Sequence, residues 1–501
     1  MMEQRDHGTS GVLSLPELLG QIFGDLPDKQ SQASALQNVD DREALYGLLQ
    51  LIAPWSVEES HGEIEQPVPK MSDWERFMVY GAFVRSLTIG WTQAEHPLKE
   101  ILNCVAATRP NLTLFPRLHS IKCIVDTGDH TLRHQHLALF LHPGIERITI
   151  DAEDSIEISS FNIPMSRVPR LCHLEIQASD LSGDLVHVIR ELPALETLSL
   201  PEYSATIRVV EEISQHASLQ RLTSNLTGLH VLDLDAEEED YSTPEFAYGP
   251  FAALKALTIA APIDDLLKTL TYLQSLSVGG ESDIRSLALE VFPSESDQSN
   301  LSDLFEPVRA LNVDVFSVLG GKFDLAHSLL GQIKPLLSTR LTTLKIENCW
   351  GPMLTLGEIK SLAQCLPHIE TLFLHHIPAN YKNESENEFP SLDVLPAIRK
   401  ECPRLQRLGV CLDADNPSQD LSEIPAFDTV LNLHVGVSQY TAPHQERLCI
   451  FLALCNCEIV TADWDEREID ADRPDWSPVI TMVSALKRMK AICVKQLMRS
   501  T

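Results

Sequence analysis

No apolar run in the chain approaches the ~20 residues that a bilayer-spanning helix needs, so the sequence predicts no membrane span. Its eleven cysteines are an odd number, scattered from Cys104 to Cys493 without a single Cys-x-x-Cys pair. That pattern suits neither a disulfide framework nor a zinc site, and it predicts reduced packing residues. Positive charge is also short: 39 lysines and arginines face 71 aspartates and glutamates, a formal charge of -32. Such a surface repels phosphate backbones and anionic bilayers, so the expected partners include neither nucleic acid nor membrane. Met1 to Leu19 lacks the basic-then-apolar order of a secretory signal, which predicts a cytoplasmic and/or nuclear chain.

The motifs of common enzyme classes are missing as well. There is no phosphate-cradling Gly-x-x-x-x-Gly-Lys, no Gly-x-Ser-x-Gly elbow, no His-Glu-x-x-His helix and no dinucleotide-binding glycine fingerprint. His375-His376 are sequence neighbours at a strand end, so their side chains diverge, and Cys455 and Cys457 are no better placed to share a metal. The expectation is a protein that is not an enzyme and carries no cofactor or metal.

What is abundant is a phrase. Leu195-Glu196-Thr197-Leu198-Ser199-Leu200 is leucine, two variable residues, leucine, one variable residue and an aliphatic. Versions of it start at Val84, Leu118, Ile145, Leu171, Leu195, Leu219, Leu254, Leu273, Val308, Leu341, Ile369, Leu405 and Val430. The central steps, from Ile145 to Leu171 to Leu195 to Leu219, fall within the ~20–29 residues of a leucine-rich repeat. Between phrases, Asp184 to Leu192, Ala205 to His216, Asp264 to Leu270 and Leu356 to Leu366 carry apolar residues three and four apart, as helices do. Strand, turn, helix and turn in repetition predict an α/β leucine-rich-repeat solenoid, with a curved parallel sheet inside and helices outside. Its expected span is 71–460, followed by an acidic segment and a capping helix over 461–501, the helix capped by Ser477 with Pro478 in its first turn. That helix carries Val479, Met482, Val483, Leu486 and Met489 as its stripe.

Ahead of the repeats, Ser14 and Glu17 have capping-box spacing around Pro16, and Leu15, Leu18, Leu19, Ile22, Phe23 and Leu26 fall on one helical stripe. A second amphipathic helix follows at Asp40 to Ile52, with Leu45, Leu48, Leu49 and Ile52 on one face, and residues 57–70 read as a linker. The segment Leu15-Pro16-Glu17-Leu18-Leu19-Gly20-Gln21-Ile22-Phe23 through Leu26 resembles the first helix of an F-box. Asp73-Trp74-Glu75-Arg76-Phe77, just ahead of the first leucine-rich strand, resembles the F-box and leucine-rich-repeat proteins of mushroom-forming fungi. The resemblance implies an F-box-like helical segment over 1–56. It also implies that Leu15, Pro16, Leu18, Leu19, Ile22, Phe23 and Leu26 dock an SKP-family adaptor and, through it, a cullin. The chain would then be the substrate-recognition subunit of an SCF-type ubiquitin ligase. The box is shortened: Asp28 to Val39 lacks the arginine, cysteine and tryptophan that the family usually carries there. A leucine-rich-repeat scaffold with no ligase link therefore stays open beside it. In either reading Trp74 and Phe77 pack a capping helix.

Strand alternation chooses a face for an unknown protein target. With the aliphatics pointing inward, Thr197, Ser199 and Pro201 are expected to line the concave surface, as are His173, Glu175 and Gln177. Ala256, Thr258, Ser275 and Ser277 form a small, plain stretch between these and the later repeats. Lys345, Glu347, Phe373, His375 and Arg407 are the expected target-binding residues, because exposed aromatic and arginine side chains dominate interface energies.

Overall fold

The protein is described here as a computed structural model. It describes residues 38–39, 45, 48–49, 52, 56–57, 64–65, 69–91, 96–125, 136–152, 155–157, 165–178, 181–202, 204–225, 253–278, 284–292, 300–321, 323–324, 327–338, 340–347, 349, 354–374, 389–415, 424, 429–436, 438, 440, 442–460 and 475–500. The chain divides into two compact units, Met1–Pro201 with His216–Leu219, and Glu202–Gln215 with Gln220–Thr501. Both are built from the predicted leucine-rich repeats, and the fold is an α/β solenoid of parallel strands and helices.

In the first unit, strands β1 (Asn38–Val39), β2 (Ser56–Val57) and β3 (Ile64–Glu65) precede helix α1 (Met71–Gly81). β2 and β3 pair antiparallel inside the stretch that reads as a linker. Trp74 and Phe77 of α1 are buried and meet edge to face at 5.8 Å, and the aromatic contacts continue through Phe115 to Phe140. They cap the array as the sequence predicts. Leu45, Leu48, Leu49 and Ile52, the stripe of the second N-terminal helix, are buried. Next come β4 (Ser86–Trp91), α2 (His96–Thr108), β5 (Ser120–Val125), β6 (Arg147–Ala152), β7 (Ile156–Glu157), β8 (His173–Gln177), β9 (Leu181–Ser182), α3 (Leu185–Arg190) and β10 (Thr197–Pro201). Strands β1, β4, β5, β6, β8 and β10 pair in that order, parallel throughout.

The second unit contains α4 (Ile207–Ser214), β11 (Arg221–Asn225), β12 (Ala256–Ala261), α5 (Ile263–Val278), β13 (Ser286–Val291), α6 (Ser302–Leu311), β14 (Val315–Leu319), α7 (Leu329–Ile333), β15 (Thr343–Glu347) and α8 (Leu356–Cys365). It continues with β16 (Thr371–Leu374), α9 (Val394–Glu401), β17 (Arg407–Val410), β18 (Leu431–His434), α10 (Gln445–Leu454), β19 (Cys457–Val460) and α11 (Ser477–Ser500). Strands β11 to β19 lie side by side in sequence order, all parallel.

One backbone device sets the register in both units. Just before a strand, two successive N–H groups donate to a single carbonyl of the preceding repeat: His119 and Ser120 to Arg85, Glu196 and Thr197 to Cys172, and Asp314 and Val315 to Arg285. The step recurs from Arg285 to Asp314, Thr342 and Glu370, every 28 or 29 residues. A parallel strand shifted by one residue would turn its leucines away from the core, so these bonds and the buried face enforce the same register. Helix starts follow their sequence signals. Thr355 and Glu358 form a reciprocal capping box at α8, and the Asp184 side chain accepts from the His187 N–H at α3.

Two of the thirteen predicted strand starts are corrected. Leu273 and Val308 lie inside helices α5 and α6, and the strands of those repeats begin after Ile284 and Val313. Both helices carry leucines at spacings that also satisfy the strand phrase, and length decides: α5 runs 16 residues. Ser275 and Ser277 consequently sit on α5, and Ser286 and Ala288 take their places on the sheet. Strand β19 carries a cysteine where the phrase has a leucine, and the sequence reading missed it. Helix α11 takes Ser477 as its first residue and not as its cap, with the Ser477 N–H donating to the Asp475 carboxylate, and its stripe is buried only at Val479 and Val483, while Met489 is 61% exposed.

The buried thiols of Cys123, Cys402 and Cys457 are pushed up to about 12 by burial, so they are neutral packing groups. Among the described residues no helix is long and apolar enough to cross a membrane, and no group of histidine, cysteine and acidic side chains could hold a metal ion.

Candidate functional site: a capped aromatic platform on the sheet

Strands β15 to β18 bring four residues into one register row. Lys345 pairs with Phe373, Phe373 with Gly409, and Gly409 with His434. Alternation turns Leu344, Leu372, Leu408 and Leu433 into the core, so this row belongs to the opposite surface of the sheet. Arg407 stands two residues before Gly409 on the same side of β17, and Glu347 two residues after Lys345 on β15.

The expectation that Phe373 is an exposed anchor is corrected: it is only 3% exposed. Its ring is capped by its neighbours. The Lys345 Nζ sits 5.3 Å from the ring centroid, the Arg407 guanidinium carbon 5.6 Å, and the His434 ring 4.7 Å at an interplanar angle of 57°. Each cation is attracted to the negative face of the ring, which sets that attraction against the repulsion between the two like charges. Gly409 makes the arrangement possible. A Cβ built there would lie 2.3 Å from the Phe373 Cδ1, so only glycine lets the ring rest on β17.

Burial pushes the Glu347 carboxyl up, and Lys345 and Arg407 offset only part of that rise. His434 is pushed down to about 4, first by burial and then by Arg407 and Lys345. A base whose folded value lies below its ordinary 6.5 takes up its proton in the unfolded chain first. This group therefore costs stability as pH falls from about 6.5 to about 4, and nothing further below that. An imidazole NMR titration should find His434 neutral at pH 5, and Arg407→Ala should raise its midpoint. An unshifted midpoint in that variant would contradict the cation contact.

Beside the platform the same face is recessed. Over β12 to β14 the outward side chains are Thr258, Ala288 and Ser317, joined in register to Lys345. Their small size leaves a trough of about 190 Å³, with Lys345 as one wall and Glu290, Leu319 and Glu347 along one rim.

The sequence-predicted residues Lys345, Glu347, Phe373 and Arg407 thus come together. His375 and the adaptor-docking set Leu15, Pro16, Leu18, Leu19, Ile22, Phe23 and Leu26 lie outside the described residues. Of the other predicted face residues, Ser199 and Pro201 are buried, and Glu175 accepts hydrogen bonds from Gln177 and Thr149. Sequence reasoning missed Gly409, His434 and Glu290. The alternation that selected Phe373, carried to the strands on either side, contains the signal for the first two.

No protein-family model matches the chain, and no curated protein matches it. Among solved structures it is similar to the crystal structure of a TLR13-ssRNA13 complex. That match has 11% sequence identity and a TM-score of 0.29, over 69% of this chain and 46% of that one. The chain therefore matches less than half of that protein's length.

Proposed function

We propose that the chain is a protein-interaction adaptor, the substrate-recognition subunit of an SCF-type ubiquitin ligase. Its F-box-like segment docks an SKP-family adaptor and thereby a cullin, and its second unit holds the target. The observation that supports target binding is the Lys345–Phe373–Arg407–His434 platform, an aromatic and cationic cluster on the face of the sheet opposite its leucines. Such clusters resemble the tryptophan, tyrosine and arginine anchors that dominate interfaces, and here the cost of ordering the side chains is already met. The ligase link is supported by the stripe from Leu15 to Leu26 that resembles an F-box helix. In this reading the chain contributes effective concentration and no reacting group.

The intact chain should co-purify with an SKP-type adaptor, and Ile22→Asp with Phe23→Asp should abolish the capture, because two carboxylates would have to be buried at the joint. A chain that brings down no adaptor sinks the ligase reading. The shortened box, with Asp28 to Val39 wholly lacking arginine, cysteine and tryptophan, favours the second reading. That reading is a leucine-rich-repeat scaffold that uses the same platform without a ligase.

A further inference from the structure

The apolar stripe of α11 is longer than the surface that covers it. Val479, Met482, Leu486, Met489 and Cys493 follow one another in steps of three and four residues, the spacing of a helix that packs along another helix. The first part of the stripe is used: α11 packs on α10 and β19, Val479 is buried, and Met482 and Leu486 are half-buried. Lys487 ends that contact, with its Nζ 3.6 Å from the Glu458 carboxylate of β19. Every described side chain from Arg488 to Gln496 is exposed, Met489 at 61% and Ile492 at 55%. At about 100° per residue, Arg488 and Lys490 stand one on each side of Met489, so cations flank the bare apolar face.

We infer that this end of α11 docks an acidic amphipathic helix of a partner protein, apolar stripe against apolar stripe. Charge complementarity names the partner's chemistry. Although acidic residues outnumber basic ones 71 to 39 in the chain, no aspartate or glutamate follows Asp475, while Lys487, Arg488, Lys490, Lys495 and Arg499 do. Among the described residues Arg488 and Lys490 have no ion-pair partner. Cations a turn apart with no acid between them, such as Lys487 and Lys490, repel along a helix, and carboxylates supplied from outside relieve that repulsion. A second α11 would bring the same cations and set like charge against like. An anionic bilayer would answer the cations but repel a chain of net charge -32, and α11 has no aromatic residue to seat among headgroups. A helix with leucines along one stripe and glutamates beside it meets both requirements.

The test is a fluorescence-anisotropy titration of the full chain with labelled three-heptad peptides near physiological salt. One carries a leucine stripe flanked by glutamates, one the same stripe flanked by lysines, and one the glutamate composition with its leucines scattered. The first should bind best. Met489→Ser with Ile492→Ser, which removes apolar surface without changing charge, should weaken it roughly tenfold or more. Arg488→Gln with Lys490→Gln should weaken it roughly threefold or more and flatten its salt dependence. Lys360→Gln with Arg404→Gln, an equal charge change at exposed sites elsewhere in the second unit, should leave it unchanged. All the substituted residues are exposed, and circular dichroism checks that each variant is folded. Equal binding by the wild type and both α11 variants would place the peptide elsewhere and overturn the inference. Equal binding of the scattered peptide would reduce the effect to bare charge and overturn it too. Flotation with phosphatidylserine vesicles that the serine pair abolishes would make a bilayer the occupant. Self-association in sedimentation velocity that the serine pair abolishes would make it a second copy. Either result overturns the acidic partner helix, as does binding of none of the peptides. The platform and the stripe from Leu15 to Leu26 play no part in this surface, so it stands or falls separately from the proposed ligase role.

Discussion

Gly409→Ala is expected to destabilise the second unit by about 1–3 kcal/mol and to unseat the ring on which the candidate site is built. The new Cβ would lie 2.3 Å from the Phe373 Cδ1, 2.8 Å from Cε1 and 2.9 Å from Cγ, all atoms of a stiff ring. A flexible side chain could swing away; this one is enclosed by Lys345, Arg407 and His434, so either β17 or the platform must move. The clash belongs to a pair, and a double-mutant cycle exposes it. In a Phe373→Ala background the same glycine change meets no ring, so the two costs should fall well short of additive. Chemical unfolding of the four proteins measures the coupling. The His434 midpoint gives a second readout, because a displaced ring uncovers the imidazole and should bring it up from about 4. Additive losses with an unchanged His434 would show that the ring is not seated on Gly409.

Much of this could be read from sequence. Leu198, Leu344 and Leu408 announced strands because one face is buried at every repeat, and that burial is why their spacing persists. The three-and-four apolar spacing over Asp184 to Leu192 and Leu356 to Leu366 placed α3 and α8 by local pattern alone. The reading failed at Leu273 and Val308, where a helical run of leucines also spells the strand phrase and local pattern cannot choose between them. The site was half legible for a related reason. Alternation assigns Phe373 to a face but does not reveal that Lys345, Arg407 and His434 close over it, because that depends on register between strands 25 to 36 residues apart. Glu290 was invisible because its strand had been placed in the neighbouring helices.

The same long-range pairing produces the largest stability effect we expect, at a residue with no place in the candidate site. Arg399, in the last turn of α9, is 6% exposed and donates from Nη1 to the Cys455 carbonyl at 2.7 Å. Its Nη2 donates to the Thr429 carbonyl at 2.5 Å and to the Thr429 hydroxyl at 2.7 Å. Thr429 precedes β18 and Cys455 precedes β19, so one guanidinium ties its own repeat to the next two. In a solenoid, coupling normally passes between nearest neighbours only. Arg399→Met keeps most of the apolar stem but loses three bonds to a charged donor and strands buried acceptors, which should cost about 3–5 kcal/mol. Arg399→Lys should fall between, since a single ammonium cannot reproduce the forked geometry. Because the lost contacts join the last repeats, the damage should be local. Hydrogen exchange should show the amides of Leu431–His434 and Cys457–Val460 losing protection first, while β13 to β15 keep theirs. An even loss across the second unit would mean that its strands unfold as one block and that Arg399 is only one contact among many.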